Sequence, residues 1–592
     1  MQELKRSRRV WVLALLAVVS TLLSGCVVAP IVAPSVSEGG AEPVAAVGGG
    51  EGEVLTIRYW QAPTTLNPHQ AEGNKDYDAA AVILEPLAHY NATNELVPYL
   101  AAEIPTLANG GIAPDGTSVT WKLKEGVKWS DGTDFTADDV VFNWQYCVNP
   151  ETDCSTAAAF DDIAAVEALA PSTVKITWAK PNGNPYQAFT GYNGFIVQKK
   201  QFESCVGKAQ INDAGCQAAS LAPVGTNAWK VKEFVPGERV VYERNENYRD
   251  ADNIYFDTVV ILGGGDAASA AEAVCVKGDA DYAINLQVPP AALEKLQAAG
   301  KCDLVSGGSF GVERIHVNFA NPDPALGDKR SEPDQPNPVL SDVKVRQAIS
   351  KAIDRHAIAD QVYGITGVAT CNIVVVPAEL VSPNTSCERD VEGAKALLAE
   401  AGWADSNGDG TVDKDGHEAR LVFRTTVNPL RQATQEIVKQ NLAEIGIGVE
   451  LTAVKPTVFF SGDPDNPESV NRFYADLQMY TATPDSPDPT YFFSDYTCPE
   501  VTSVANQWQS ANFSRFCDPA FDQLFEQFRA ELDPARRATL AIALNDYLID
   551  NGVVIPLINR DTPAGKAKNL EGPTYYNFGS GMWNINTWRR SE

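Results

Sequence analysis

The sequence predicts a mixed α/β protein built from two or three lobes. Its 592 residues exceed the length that one hydrophobic core usually supports, and 44% of them are hydrophobic, which is ample for several cores. Helical and strand patterns alternate irregularly along the chain, and no internal repeat is evident. These observations favour α/β lobes over a solenoid or an all-β sandwich.

The N-terminus has the pattern of a bacterial lipoprotein signal. Four basic residues at positions 5–9 precede an apolar run at 10–19, and a Leu-Ser-Gly-Cys sequence ends at Cys26. The apolar run is too short to cross a bilayer, so we expect residues 1–25 to be removed and Cys26 to carry a lipid. Residues 26–53 are mostly Gly, Ala, Pro, Ser and Val, the composition of a flexible tether.

These N-terminal features predict a location and a mode of attachment. The mature chain is expected on the extracytoplasmic face of the bacterial cell membrane, on the periplasmic or cell-wall side, attached through the lipid alone. The charge balance agrees, because 76 acidic residues against 47 basic ones give a formal net charge of −29. Nucleic acids and anionic lipids both require a basic surface, so neither is an expected partner.

Apart from Cys26, the chain contains ten cysteines, an even number that indicates disulfides in an exported protein. The sequence does not fix their connectivity, but joining neighbours in order gives short loops throughout. That hypothesis pairs Cys147 with Cys154, Cys205 with Cys216, Cys275 with Cys302, Cys371 with Cys387, and Cys498 with Cys517. The alternative, metal ligation, has little support because there is no CxxC pair and there are only five histidines.

The first half of the chain shows strand and turn signals. Residues 55–59 and 119–123 alternate between apolar and polar side chains and predict strands. Thr136, three residues before Asp139 and ahead of an apolar run, predicts the start of a helix. Two further strands flank Pro236-Gly237 and predict a hairpin.

The second half is dominated by amphipathic helices. Val345, Ala348, Ile349, Ala352 and Ile353 recur at helical spacing and predict one buried stripe. Similar patterns predict three more helices, each ending before or near a glycine; they cover residues 391–401, 431–445 and 534–550.

An ordered set of segments resembles the extracellular solute-binding proteins of family 5, which include the oligopeptide- and dipeptide-binding subunits of ABC importers. Any one segment is weak evidence, but their order follows the family over nearly the whole chain, from about residue 55 to 558. They are TLNP at 65–68, LKEGVKWSDG at 123–132, FTADDVVF at 135–142, PVGT at 223–226 leading to Arg244-Asn245 and Tyr248, DVKVRQAI at 342–349, IDR at 353–355, AGW at 401–403 and DP at 488–489.

The resemblance implies a periplasmic-binding-protein-like class II (cluster C) fold. In this fold two lobes clasp the ligand, and an extra α/β domain lies on the side of the first lobe. We expect a discontinuous lobe I from residues 54–78, 222–310 and 556–592, an extra domain II from 79–221, and a lobe III from 311–555. The lobes are expected to close over ligand about a hinge.

The resemblance also implies candidate ligand residues around the segment 479–493. In peptide-binding members an Asp three residues before the acidic-Pro pair holds the peptide's α-ammonium; here that position is Asp485, before Asp488-Pro489. A buried ammonium needs such a charged partner. The alternative is that Asp485 and Asp488 only cap turns in a Pro-rich loop.

One departure from the peptide binders leaves the ligand class open. They carry a Trp three residues before the anchoring Asp, whereas this chain has Ala482. Tyr480 or Trp60 would supply aromatic surface instead, although aromatics at such positions more often belong to the core. Arg431 is a candidate for the ligand carboxylate, with a solvated first-turn residue as the alternative.

Residues 405–413 match the first positions of a calcium loop, with oxygen ligands at Asp405, Asn407, Asp409 and Asp413. The twelfth position is Gly416, where a bidentate Glu is expected, so a plain hairpin connection is the competing interpretation. No other metal site is expected.

The function expected from the resemblance is a non-catalytic, monomeric substrate-binding subunit that needs no cofactor and delivers peptides to the permease subunits of an ABC importer. An oligosaccharide ligand is the runner-up, since it fits the absent Trp and does not require Asp485. A secreted hydrolase is the alternative from another class, although no nucleophile, base and orienting residue can be assembled from the motifs.

Overall fold

The computed structural model describes residues 52–591 except 72, 161, 209–211, 306–310, 462, 464, 485, 575–577 and 579. The predicted signal peptide, Cys26 and nearly all of the predicted tether lie outside the described residues. Within the described part of the chain, no helix is both long and apolar enough to cross a membrane.

The described strands are numbered in chain order. They are β1 (Val54–Tyr59), β2 (Ala88–Tyr90), β3 (Leu96–Pro98), β4 (Ser118–Lys122), β5 (Ile163–Ala170), β6 (Thr173–Trp178), β7 (Trp229–Val235), β8 (Arg239–Arg244), β9 (Thr258–Gly263), β10 (Tyr282–Ile284), β11 (Cys302–Val305), β12 (Gly311–Val317), β13 (Gly367–Ala369), β14 (Asp413–Lys414), β15 (His417–Glu418), β16 (Arg420–Thr426), β17 (Gly448–Val454), β18 (Leu477–Ala482), β19 (Val554–Arg560), β20 (Ala564–Ala567), β21 (Leu570–Glu571) and β22 (Arg589–Arg590).

The described α-helices are numbered in the same way. They are α1 (Asn74–Ala81), α2 (Ala137–Cys147), α3 (Lys199–Phe202), α4 (Ala214–Leu221), α5 (Ala267–Glu272), α6 (Pro290–Ala299), α7 (Val343–Ala352), α8 (Arg355–Ile358), α9 (Val391–Glu400), α10 (Pro429–Ala443), α11 (Pro456–Phe459), α12 (Thr490–Ser494), α13 (Pro519–Ala530) and α14 (Pro534–Asp550).

The predicted helices and strands are confirmed within a few residues. Strands β1 and β4 cover the two alternating segments, and β7 and β8 form the predicted hairpin. Thr136 and Asp139 make a reciprocal capping box at the start of α2, as their spacing predicts. One boundary differs, because α10 starts at Pro429 after an Asn428 cap, so Arg431 is its third residue.

Two mixed sheets organise the chain. The first sheet has seven strands in the order β11-β20-β10-β1-β9-β8-β7, with β1 parallel to both β9 and β10. The second sheet has six strands in the order β13-β19-β12-β18-β16-β17. The predicted boundary at residue 556 falls inside β19, so the chain leaves the second sheet after Arg560 and joins the first at Ala564.

Residues 79–221 contain a separate three-stranded antiparallel sheet, ordered β4-β6-β5, and the two-stranded β2-β3 ladder. The hydrophobic core of this segment is continuous with that of the first sheet: Trp121 and Ile176 share one buried cluster with Ile57 and Ile261. The second sheet has its own core, where Ile315 and Phe423 pack with the buried stripe of α7.

All ten cysteines of the described chain are joined in disulfides, in the neighbour-in-order pairs: Cys147–Cys154, Cys205–Cys216, Cys275–Cys302, Cys371–Cys387 and Cys498–Cys517. Each bridge closes a loop of 7 to 27 residues.

A buried histidine packs between the start of the chain and α2. His69 Nε2 lies 3.0 Å from the Asn143 side-chain oxygen, and Nδ1 lies 2.7 Å from the Thr156 hydroxyl. The Asn143 amide nitrogen donates to two backbone carbonyls, so its oxygen must face the ring and accept from Nε2. Burial lowers the pKa of His69 from 6.5 to about 4, so the ring is neutral in the folded state at pH 7.

This lowered pKa predicts a loss of stability in acid. The unfolded state binds the proton first, so the contribution of His69 is complete above pH 6.5 and is lost as the pH falls towards 4. The size is on the order of 3 kcal/mol. Urea unfolding of wild type and His69→Gln at pH 7 and pH 4.5 should show a smaller acid loss in the variant, and an equal loss in both proteins would contradict the prediction.

Candidate functional site

A cavity of about 250 Å³ lies between segments of the two sheets. Its walls combine amide and hydroxyl groups, two aromatic rings and three cationic side chains, with no acidic residue among the described lining residues. The lining residues are Trp60, Gln61, Thr64, Gly73, Asn74, Lys75, Asn285, Gln287, Arg431, Pro456, Thr457, Phe460, Thr481, Thr483, Arg560 and Thr562.

The wall from the second sheet is set by strand register. Glu313 on β12 lies directly opposite Thr481 on the antiparallel strand β18, so both side chains are on the same face of the sheet. Arg431 reaches this face from the first turn of α10, and Arg560 reaches it from the last position of β19. Three separate segments of the second sheet and one helix thus bring these four side chains together.

Glu313 is shared by the two arginines. Its Oε1 accepts from Arg431 Nε at 2.9 Å, and its Oε2 lies 3.8 Å from Arg560 Nη1. The Thr481 hydroxyl donates to Glu313 Oε2 at 2.5 Å, and it accepts from Arg431 Nη2 at 3.2 Å and from Arg560 Nη1 at 3.1 Å. We call Glu313, Arg431, Arg560 and Thr481 the arginine cluster.

The charged groups of the arginine cluster are almost completely shielded from solvent. Glu313 is fully buried, and Arg431 and Arg560 are 6% and 4% exposed. Burial lowers the pKa of Arg560 below its usual value, while the carboxylate of Glu313 acts in the opposite direction. Burial also raises the pKa of the nearby Tyr363 phenol, and Glu313 adds to that rise. The charged groups therefore depend on one another for compensation rather than on solvent.

The wall from the first sheet is held by side-chain hydrogen bonds. Trp60 follows β1, and its indole nitrogen donates to the Asn285 carbonyl at 2.9 Å, which fixes the ring at the cavity edge. Asn428, the cap of α10, donates to the Gln287 side chain at 2.6 Å. Since Gln287 follows β10 of the first sheet, this hydrogen bond joins the two sides of the cavity.

Of the sequence candidates, Trp60 and Arg431 line the cavity. The alternative that Arg431 is a solvated first-turn residue is wrong, because its side chain is buried. The Asn428-Pro429 cap starts the helix two residues earlier than predicted, which makes Arg431 the third residue of α10. Tyr480 does not line the cavity. Its ring stacks on His316 with centroids 4.3 Å apart, and it meets Phe460 edge-on at 5.8 Å, so it supports a lining residue from behind.

Of the two predicted acidic ligand residues, only Asp488 is among the described residues. Asp485 lies outside the described residues, so its assignment stays a prediction. Asp488 accepts from Arg537 Nε at 2.8 Å and from the backbone nitrogen of Thr490 at 2.9 Å. Because both carboxylate oxygens are engaged in the start of α12 and an ion pair, we assign Asp488 to the loop structure and not to the ligand.

The candidate calcium loop is organised by its own backbone. Asp405 accepts from three successive amides, those of Gly408, Asp409 and Gly410, and Asp413 begins the short β14-β15 hairpin. In the described part of the chain, no group of three or more His, Cys, Asp or Glu side chains is placed to hold a metal ion. The hairpin interpretation of this segment therefore fits the structure better than calcium binding.

Sequence reasoning missed Glu313, Arg560, Lys75 and Phe460. A signal existed for Glu313, because β12 reads as a strand buried on both faces yet contains adjacent charged residues, Glu313 and Arg314. Charges in such a strand are retained only with partners. Arg560, at the end of the apolar strand β19, gives the same kind of signal.

A cavity between two α/β sheets, with charged groups fixed on its walls, is typical of solute receptors that clasp a ligand between two lobes. The family model for bacterial extracellular solute-binding proteins, family 5 (middle region), matches residues 95–502. The chain therefore belongs to the bacterial extracellular solute-binding proteins of family 5, and it is a binding protein rather than an enzyme.

Individual relatives support this membership. The chain is 25% identical over 459 residues to the oligopeptide-binding protein AppA of Bacillus subtilis, covering 76% of this chain and 77% of AppA. It is 24% identical over 502 residues to the dipeptide-binding protein of Escherichia coli, covering 81% and 84%. The solved structure of NikZ from Campylobacter jejuni with Ni(L-His) matches with a TM-score of 0.76 and 23% identity, covering 91% of this chain and 99% of NikZ.

The structural likeness confirms the predicted class II periplasmic-binding-protein fold of mixed α/β sheets and helices. The family likewise agrees with a protein that acts outside the cytoplasm. The hydrolase alternative is thereby set aside.

Proposed function

We propose that this chain is the lipid-anchored, extracytoplasmic substrate-binding subunit of an ABC importer and captures di- or oligopeptides in the cavity between its two sheets. The observation that carries the proposal is the cationic cavity wall, where Lys75, Arg431 and Arg560 occur with no acidic lining residue among those described. A free peptide presents a carboxylate, the group that guanidinium side chains bind most specifically.

The proposal assigns the other end of the peptide to Asp485, which the family resemblance gives as the partner of the α-ammonium. Two curated relatives, one named for oligopeptides and one for dipeptides, support peptides as the ligand class. In this proposal the discontinuous lobe I and lobe III close on the peptide about a hinge, while domain II is the extra domain. The hydrogen bond from Asn428 to Gln287 spans the two sides of the cavity and would respond to that movement.

Calorimetry of the purified mature chain tests the ligand class. Trialanine, its C-terminal amide and maltotriose are the three probes. We expect trialanine to bind, the amide to bind at least tenfold more weakly because it lacks the carboxylate, and maltotriose to give no heat. Mass spectrometry of any ligand retained through purification gives an independent identification.

The runner-up, an oligosaccharide, is favoured by Trp60 and Phe460 on the wall beside hydroxyl and amide groups, a combination that suits sugar rings. It leaves the cationic groups without a complementary charge in the ligand. Binding of maltotriose in place of trialanine would select this alternative.

The lipid on Cys26 would keep the receptor near its permease and raise the local concentration without a permanent complex. Fractionation of cells that express wild type or Cys26→Ser tests the anchor. We expect wild type in the membrane fraction and the variant in the soluble extracytoplasmic fraction. An unchanged distribution would remove the anchor from the proposal.

A further inference from the structure

The charged side chains around the cavity nearly balance, with one positive charge in excess. Among the described residues, three cations line the cavity and two carboxylates lie directly behind two of these cations: Asp76 pairs with Lys75, and Glu313 pairs with Arg431. Asp76 also accepts from the backbone nitrogen of Thr64 at 2.7 Å, which holds it in place. Lys75 is thus neutralised on the side of the first sheet.

On the side of the second sheet the compensation is incomplete. Arg431 and Arg560 share the single carboxylate of Glu313, at 2.9 and 3.8 Å. Asp561 follows Arg560 in sequence, is also buried, and attracts Arg560 less than Glu313 does. It is not among the lining residues, and it accepts from the backbone nitrogen of Thr562 at 2.7 Å. Among the described residues, Glu313 is therefore the one carboxylate in ion-pair distance of both guanidinium groups, and Arg560 has none of its own.

An uncompensated charge in a nearly dry site is costly, and a ligand anion that pairs with it removes the cost. A single ligand carboxylate balances the excess positive charge of the arginine cluster. A second carboxylate at the same end of the ligand would lose its hydration. The other two cations of the described lining are already paired, Arg431 with Glu313 and Lys75 with Asp76.

We infer that Glu313 sets the charge selectivity of the cavity, so that the cavity accepts a ligand end with one carboxylate and rejects an end with two. This inference rests on the proposed function and extends it: the preferred peptides end in a residue with a neutral side chain, and peptides that end in Asp or Glu are disfavoured. Glu313 acts here as a positioning and specificity residue, since Arg431 and Arg560 separate it from the ligand.

The isosteric peptides Ala-Gln and Ala-Glu differ only in the charge of the last side chain and are the probes. Wild type should bind Ala-Gln about tenfold or more tightly than Ala-Glu in calorimetry. Glu313→Gln keeps the size of the side chain and removes its charge, so the ratio of the two affinities should shift towards Ala-Glu by about tenfold or more. A purely structural role would weaken both peptides by the same factor.

Two further variants keep the test decisive. The charge-balanced variant Glu313→Gln/Arg560→Gln should return the ratio to that of wild type. Arg560→Gln alone removes a cation and should weaken the binding of Ala-Glu more than that of Ala-Gln. Thermal melting shows whether each variant folds. If Glu313→Gln does not fold, the affinity ratio of Arg560→Gln still tests the charge assignment.

The outcomes separate the two proposals. If wild type binds both peptides but the ratio is the same in every folded variant, the charge assignment is overturned and peptide binding stands. If wild type binds neither peptide, both are overturned.

Discussion

Replacing Arg431 with methionine is expected to lower the free energy of unfolding by about 3 kcal/mol, because removal of one partner leaves a buried charge behind. Glu313 is fully buried, and its remaining cation, Arg560, is 3.8 Å away. The same variant should lose about a hundredfold in affinity for a free-carboxylate peptide. Urea unfolding and calorimetry measure the two effects.

Matched variants separate the cause from general damage. Arg420 is 61% exposed and pairs with Glu418 at the surface, so Arg420→Met should cost less than about 0.5 kcal/mol. Adding Glu313→Gln to Arg431→Met removes the stranded charge and should restore part of the stability. A loss below about 1 kcal/mol in Arg431→Met would show that the arginine cluster is not a buried charge network.

Asp485→Asn is expected to weaken the binding of free-amine peptides by about a hundredfold, because a buried ammonium would lose its charged partner. An N-acetylated peptide has no ammonium, so its affinity should be the same for wild type and variant. Calorimetry with trialanine and acetyl-trialanine makes the comparison.

Asp488→Asn is the matched control for Asp485→Asn. Asp488 pairs with Arg537 and accepts from the backbone nitrogen of Thr490 in the turn that leads into α12, so its replacement should lower stability while leaving peptide affinity within about threefold. Equal trialanine affinity in wild type and Asp485→Asn would remove Asp485 from the site.

Local rules were sufficient for most of the fold. The Thr136–Asp139 capping box, the Pro236-Gly237 turn and the apolar stripe beginning at Val345 each depend on residues within one turn or hairpin, and each is present in the structure. The start of α10 was misplaced by two residues because Asn428-Pro429 outweighs the hydrophobic pattern that begins after it.

The residues that line the cavity were harder to predict from the sequence than the helices and strands. Trp60 and Arg431 were identified individually, but Lys75, Glu313 and Arg560 come from segments far apart in the chain and meet only through the two sheets. Strand register decides that Glu313 faces Thr481 and the cavity, while its neighbour Arg314 faces the opposite side. The apolar and polar pattern along β12 alone does not identify β18 as its partner strand or give the register between them.

The order of the five disulfides bears on how the protein is made. The ten described cysteines pair as consecutive neighbours along the chain, and none of the five bridges joins one sheet to the other. A chain that emerges from an export channel N-terminus first can therefore oxidise its cysteines in the order of their appearance, without reshuffling. Each finished bridge constrains only its own short segment, and none of the five constrains one sheet against the other.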